Sequence, residues 1–233
     1  ITASSGAVSQ WSDKSGNALH VVQATADKQP TTSSASQNSL NVLSFDGGDY
    51  LQKSSSNVQN VDQTWFVVAQ VDSVSDSSDS LLAYGNWEDG KWQFNSDHAT
   101  AFYGKMRKNN TSGITSVSRS SSSSNLIGSY RLYSLSFNRS NSTFSSWMDG
   151  INNNSAKTDS IALATNQKIT VMGSRQSTPS SPGGKMAEIL YLKSVADADR
   201  LKVEGYLAHK WGLTANLASS HLYKSKAPSS NVP

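Results

Sequence analysis

The sequence predicts an all-β chain folded as an antiparallel sandwich, closed by one short helix near the C-terminus. Three observations carry this. Strand-like apolar stretches recur every ten to fifteen residues or so, at about the interval of a sandwich rather than of strand-helix-strand units. Turn signals built from Asp, Gly and Pro stand between them. Helical periodicity is read near the C-terminus, in Val203-Glu-Gly-Tyr-Leu-Ala-His-Lys-Trp-Gly-Leu213.

In chain order the strand stretches are Leu40–Phe45, Tyr50–Lys53, Thr64–Val71, Leu81–Tyr84, Lys91–Phe94, Tyr130–Phe137, Thr143–Met148, Ile169–Gly173 and Met186–Leu192. The turns are Asp46-Gly-Gly-Asp49, Asp89-Gly90, Asp149-Gly150 and Ser181-Pro-Gly-Gly184. Trp65-Phe-Val-Val-Ala69 is continuously apolar, as expected of a central strand covered on both faces. Within Tyr130–Phe137 the alternation slips between Leu132 and Leu135, which predicts a bulge near Tyr133. The serine-rich runs at 72–79 and 116–124 offer almost nothing to bury, and both are expected to be exposed loops.

The helix announces itself by its ends. Ser194 followed by Asp197 is a capping-box variant, and Asp197 and Asp199 suit the positive end of the helix dipole. Ala198, Leu201, Gly205, Ala208 and Trp211 share one face, and Gly212 provides the stop. Gly205 costs about 1 kcal/mol of helix propensity, which close packing has to offset. His209 falls off that face and reads as a surface residue.

At 233 residues one domain is the default, expected over 1–223 with 224–233 as a tail or linker. Hydrophobic residues are 36% and charged residues 16%, and about a fifth of the chain is serine. The net charge of +3 comes from cations scattered singly, so no basic stripe for nucleic acid is present. No apolar run approaches the roughly 18 residues of a membrane span. The chain has no cysteine, which removes disulfides, thiolate metal sites and a cysteine nucleophile. These traits fit an extracellular, cell-surface or virion-surface protein of bacterial or viral type. Sequons start at Asn109, Asn110, Asn141 and Asn153 and are read as accidents of composition.

Several landmarks resemble one family. They are Val8-Ser-Gln-Trp-Ser-Asp-Lys-Ser-Gly-Asn-Ala-Leu-His20, Leu43-Ser-Phe-Asp-Gly-Gly-Asp-Tyr-Leu51, Trp147-Met-Asp-Gly150, Met186-Ala-Glu-Ile-Leu-Tyr-Leu192 and Lys210-Trp-Gly-Leu213. Together they look like the concanavalin A-like, laminin G-like jelly-roll domains of aquatic bacteria and their phages. The resemblance implies a two-sheet antiparallel jelly-roll sandwich with a C-terminal helix packed beside it. It also implies a glycan-binding or adhesive module appended to a larger protein. The fold hosts enzymes too, so function has to be argued from residues.

For catalysis the residues are sparse. Sugar hydrolysis on such a strand needs carboxylates at alternating positions, and the chain's three glutamates, Glu88, Glu188 and Glu204, do not have that spacing. Glu188, just ahead of the helix, is expected to make a structural pair. No Gly-x-Ser-x-Gly motif accompanies the serines. The chain is therefore read as no enzyme. The alternatives are a structural interaction module with protein partners in a larger assembly and, behind it, a polysaccharide-degrading enzyme.

For sugar binding, a site needs an aromatic platform rimmed by polar groups. The stretch from Tyr84 to Arg107 has that mixture: Tyr84, Asn86, Trp87, Trp92, Asp97, His98, Tyr103 and Arg107. Trp87 stands in a polar turn, where an exposed tryptophan asks for a reason. Trp92 and Phe94 share a strand face that fits core as well as platform. Trp11, Trp65 and Trp147 are assigned to the core. The expected partner is a polysaccharide or glycoconjugate, with no nucleic acid and no membrane insertion. No cofactor is expected. Asp46, Asp49, Asp76 and Asp79 leave room for a structural calcium, although no Asp-x-Asp-x-Asp loop is present.

Overall fold

The computed structural model describes residues 1–74, 79–85, 91–97, 101–107, 114–120, 127–152, 157–158, 162–174 and 181–229, and at 95–97, 101, 103, 107, 114–120, 157–158 and 174 the backbone alone. Among them the strands of the N-terminal part are β1 (Thr2–Ser4), β2 (Ala7–Trp11), β3 (Val21–Val22), β4 (Ser36–Gln37), β5 (Leu40–Asn41), β6 (Leu43–Asp46) and β7 (Leu51–Lys53). The middle contributes β8 (Gln63–Ser73), β9 (Asp79–Tyr84), β10 (Trp92–Asp97), β11 (Ala101–Arg107) and β12 (Ile114–Ser120). Then follow β13 (Tyr130–Asn138), β14 (Thr143–Met148), β15 (Ile151–Asn152), β16 (Lys157–Thr158), β17 (Ile169–Ser174), β18 (Gly183–Leu192) and the helix α1 (Asp197–Trp211).

Two antiparallel sheets face each other. One runs β1-β2-β3-β7-β17-β9-β10-β11-β12, and the other β15-β14-β13-β8-β18-β6. Their inner faces supply one core cluster, with Trp65, Val67 and Ala69 of β8 and Tyr133, Leu135 and Phe137 of β13 meeting Leu82, Trp92, Phe94 and Phe102. The outer face of the second sheet carries another cluster, in which Phe66, Val68 and Leu132 meet Leu207, Ala208 and Trp211 of α1. So β8 is covered on both sides, as its unbroken apolar run predicts.

The same two-sided burial explains the phase slip in β13, and no bulge lies there. Its pairing with β8 is continuous from Tyr130↔Gln70 to Phe137↔Gln63, and its pairing with β14 is also unbroken. Tyr130 and Leu132 face the helix while Tyr133, Leu135 and Phe137 face the other sheet, so both sets of alternate residues are apolar. An irregularity that re-aims side chains sits instead in β18, between Met186 and Glu188. It turns Glu188 and Leu190 toward the helix side and Ile189 and Tyr191 toward the interior.

Both expected serine-rich loops are partly strand. Ile114–Ser120 pairs with β11 along its whole length, and Asp79 and Ser80 are fully buried in β9. A strand needs backbone pairing, not apolar side chains, and at a sheet edge serine suffices. Residues 75–78 and 121–126 lie outside the described residues, as do the sequons' Asn109, Asn110 and Asn153.

In α1 the cap and the buried face shift from expectation. Ala196 occupies the N-cap without a side-chain bond, while Ser194 Oγ donates to Asp199 at 2.7 Å. The buried residues are Arg200, Glu204, Gly205, Leu207, Ala208 and Trp211. Gly212 closes the helix in the left-handed region at φ 68°. Gly205 does mark a close approach, but to the following segment: a Cβ there would lie 2.4 Å from Tyr223 Cβ. His209 is half-buried rather than on the surface, its Nε2 2.9 Å from the Tyr223 carbonyl. Lys224 Nζ donates to the carbonyls of Thr214, Ala215 and Leu217, which anchors the first residue of the expected tail to the domain.

Candidate functional site

Along β18 the pairing changes partway. β6 covers Gly183–Met186, whereas among the described residues Glu188–Leu192 have β8 alone as a paired neighbour. A cavity of about 520 Å³ lies here, lined by Ala187, Glu188, Ile189, Leu190 and Tyr191 in succession. Alternate side chains of a strand point to opposite faces, so five consecutive residues can line one cavity only along the strand's edge. The opposite wall comes from the other sheet: Trp11, Val21, Leu82, Ile169 and Val171. Asp13, Lys14, Ser15 and Asn17 of the loop after β2 form the rim, and Lys210 and Trp211 of α1 close one end. Its size is within the roughly 300–1,000 Å³ typical of ligand pockets.

The rim loop holds its shape through Asp13. Its Oδ1 accepts from the Ser15 amide at 2.8 Å, and its Oδ2 from Ser15 Oγ at 2.9 Å and the Leu19 amide at 3.0 Å. Burial alone would raise the Asp13 pKa, but the bonds from Ser15 and Leu19 outweigh it and hold the carboxyl below its usual value. The Asp13 amide in turn donates to His20 Nδ1 at 3.0 Å. Gly16, at φ 84°, has nothing within 4 Å of a would-be Cβ, so the loop's crest stands open.

At the helix end Glu188 accepts from Lys210 Nζ at 2.9 Å and from Trp211 Nε1 at 2.6 Å. This is the structural pair its position suggests. Burial pulls the Lys210 pKa down, and the Glu188 and Tyr206 bonds more than reverse that, so the ammonium is held. On the inner wall the Tyr191 ring lies 4.5 Å from the Trp65 ring, tilted by 30°. The Tyr191 hydroxyl is buried and has no hydrogen-bond partner among the described residues. Burial, with a smaller contribution from Tyr84, raises its pKa and keeps it a neutral phenol.

Of the expected sugar-site residues, two are core. Tyr84 and Trp92 are 1% and 2% exposed and stack at 5.4 Å, so neither offers a free ring face. Their positions follow from register, since Trp92 pairs with Tyr84 and both point inward, where Trp92 also meets Trp65, Phe94 and Phe137. The Tyr84 hydroxyl is occupied by the Ala164 carbonyl at 2.7 Å. The core alternative therefore holds for the Trp92–Phe94 strand. Asp97, Tyr103 and Arg107 are placed by backbone on β10 and β11, and Asn86, Trp87 and His98 lie outside the described residues.

The tryptophans assigned to the core divide. Trp65 is buried among the sheets, and Trp147 is buried beneath the Arg200 guanidinium at 4.2 Å. Trp11 is only partly buried and lines the cavity. A polar turn directly after that tryptophan was the available signal. Tyr191 and Lys210 gave none, because only the pairing of distant strands brings them to Trp11.

A second, shallower cavity of about 360 Å³ is lined in part by Asp27, Asp46 and Asp49. Asp49 accepts from the Asp46 amide at 3.2 Å, and burial pushes its pKa up to about 6, against that bond and with help from the Asp46 charge. Among the described residues no group of three or more His, Cys, Asp or Glu is arranged to hold a metal. Asp79 is buried in β9, and Asp76 lies outside the described residues.

Neither a protein-family model nor a curated protein sequence matches this chain. Solved structures do resemble it. The CBM40 carbohydrate-binding module of the Ruminococcus gnavus IT-sialidase has a TM-score of 0.50 and 12% identity, over 64% of this chain and 95% of that one. The same module bound to α2,3-sialyllactose gives a TM-score of 0.51, 12% identity and the same shares. The Trypanosoma rangeli sialidase in complex with the inhibitor DANA gives 0.57 at 13% identity, over 84% of this chain and 30% of that chain. At such identities the likeness is one of fold: this chain is an antiparallel β-sandwich.

Proposed function

We propose that the protein is a non-catalytic carbohydrate-binding module that holds a polysaccharide or glycoconjugate in the cavity along β18. The observation that carries this reading is the cavity's composition. Trp11 offers a partly exposed ring for the CH face of a sugar, beside a rim of Asp13, Lys14, Ser15 and Asn17 able to hydrogen-bond hydroxyls. Support also comes from the fold likeness to a module described bound to sialyllactose. The non-catalytic part rests on the acids. A glycosidase acid needs a raised pKa and a second carboxylate facing it. Asp13 is instead held low, and Glu188 is engaged by Lys210 and Trp211.

The setting that fits is a secreted, cell-surface or phage-borne parent protein of the concanavalin A-like, laminin G-like type, with adhesion as its use. No helix among the described residues is long and apolar enough to cross a membrane. Affinity electrophoresis through a panel of polysaccharides tests the reading. Wild type is expected to be retarded by at least one polymer without releasing reducing ends from it, and Trp11→Ala to lose that retardation. Trp87→Ala is expected to migrate as wild type. Loss in Trp87→Ala with Trp11→Ala unaffected would move the site to the Tyr84–Arg107 region, and release of reducing ends would make the protein an enzyme.

A further inference from the structure

We infer that the cavity along β18 selects an uncharged glycan. This rests on the carbohydrate-binding reading and narrows it.

The argument begins with charge. Among the described residues four charged side chains line the cavity, the cations Lys14 and Lys210 and the anions Asp13 and Glu188, and they cancel. Recognition of a sugar carboxylate or sulfate calls for a cation free to pair with it, best an arginine with its two-pronged geometry. No arginine is among the described residues lining this cavity. Lys210 is already bound to Glu188, so drawing it to a ligand would strand a carboxylate that is 17% exposed. Asp13, locked by Ser15 and Leu19, keeps its charge at the rim and repels an anion. Lys14 remains, exposed at the rim, where salt screens it.

The same lining suits hydroxyls. Ser12, Ser15 and Asn17 add short polar groups without net charge at the rim. A sugar carrying only hydroxyls and a CH face matches every one of these contacts. A sialylated or uronic sugar brings a negative charge that none of them neutralises.

The experiment compares neutral polymers (laminarin, galactomannan, dextran, xylan) with anionic ones (polysialic acid, alginate, polygalacturonate) by affinity electrophoresis at low and at physiological salt. Retardation by at least one neutral polymer is expected, insensitive to salt. Salt-resistant, Trp11-dependent retardation by anionic polymers alone leaves the carbohydrate-binding reading standing and overturns this inference. Retardation by nothing in either set, or retardation that Trp11→Ala leaves intact, removes the underlying site and this inference with it.

Discussion

Asp49 shows how one buried side chain makes stability depend on pH. It is 6% exposed, and burial pushes its pKa up to about 6. An acid whose folded pKa lies above its unfolded value of about 3.9 binds its proton more tightly in the native state. Its favourable contribution is therefore complete below the unfolded pKa and is lost as the pH rises through about 6. Asp49→Asn removes the charge that has to be buried above that pH. The amide oxygen still accepts from the Asp46 backbone, and its NH2 replaces the acid proton facing Asp46. The variant is expected to melt about 2–4 °C higher than wild type at pH 8, the effect of roughly 1 kcal/mol in a chain of this size. At pH 3.5 the two should melt together. Calorimetry at both pH values checks this, and an equal difference at both would show that the carboxyl's charge is not the cause.

At the scale of elements, α1 is held by charge as much as by its apolar face. Glu204 is fully buried, accepting from Arg200 at 2.7 Å and from Ser134 Oγ at 2.9 Å, with His221 Nε2 3.3 Å away. Removing one partner of a buried ion pair costs about 3–5 kcal/mol, because the other is left as an uncompensated charge. Glu204→Gln is expected near the lower end, since Arg200 keeps Asp197 at 3.2 Å and the Trp147 ring. Adding Arg200→Met should then recover part of the loss in urea denaturation. A double variant less stable than Glu204→Gln would mean that stranded charge is not what the single variant suffers.

This arrangement was only half legible in the sequence. Spacing found the helix and its glycine stop, and it put Gly205, Ala208 and Trp211 inward. It could not place Arg200 and Glu204 there, because charged residues read as solvated until their partners are known. The strands follow the same logic. β8 was clear because no strand with one wet face has five apolar residues in a row. β12 was not, because its serines carry no burial signal and its partner β11 supplies the reason for it to be extended.

For the whole molecule, what distant segments build together stayed out of reach. The cavity joins segments near residues 11–21, 65, 82, 169–171, 187–191 and 210–211, so proximity in sequence pointed to the Tyr84–Arg107 stretch instead. The same holds at the C-terminus, where residues after Gly212 complete the fold. Leu213 and Leu217 are buried in the cluster around α1, and Asn216 Nδ2 donates to the Tyr130 carbonyl at 3.2 Å. His221 reaches Glu204, and Tyr223 lies over Gly205, where no side chain of the helix intervenes. A chain ending at residue 213 uncovers Gly205 and one side of Glu204 together, and it is expected to lose cooperative melting. A chain ending at 226 keeps every one of these contacts and should melt with the full-length protein. Ending at 223 also removes Lys224, whose ammonium gathers three carbonyls, and should lower the melting temperature by a few degrees. Equal melting of the 223 and 226 chains would place the edge of the folded domain before Lys224. Intact melting of the 213 chain would show that the helix stands on the sheet without the segment behind it.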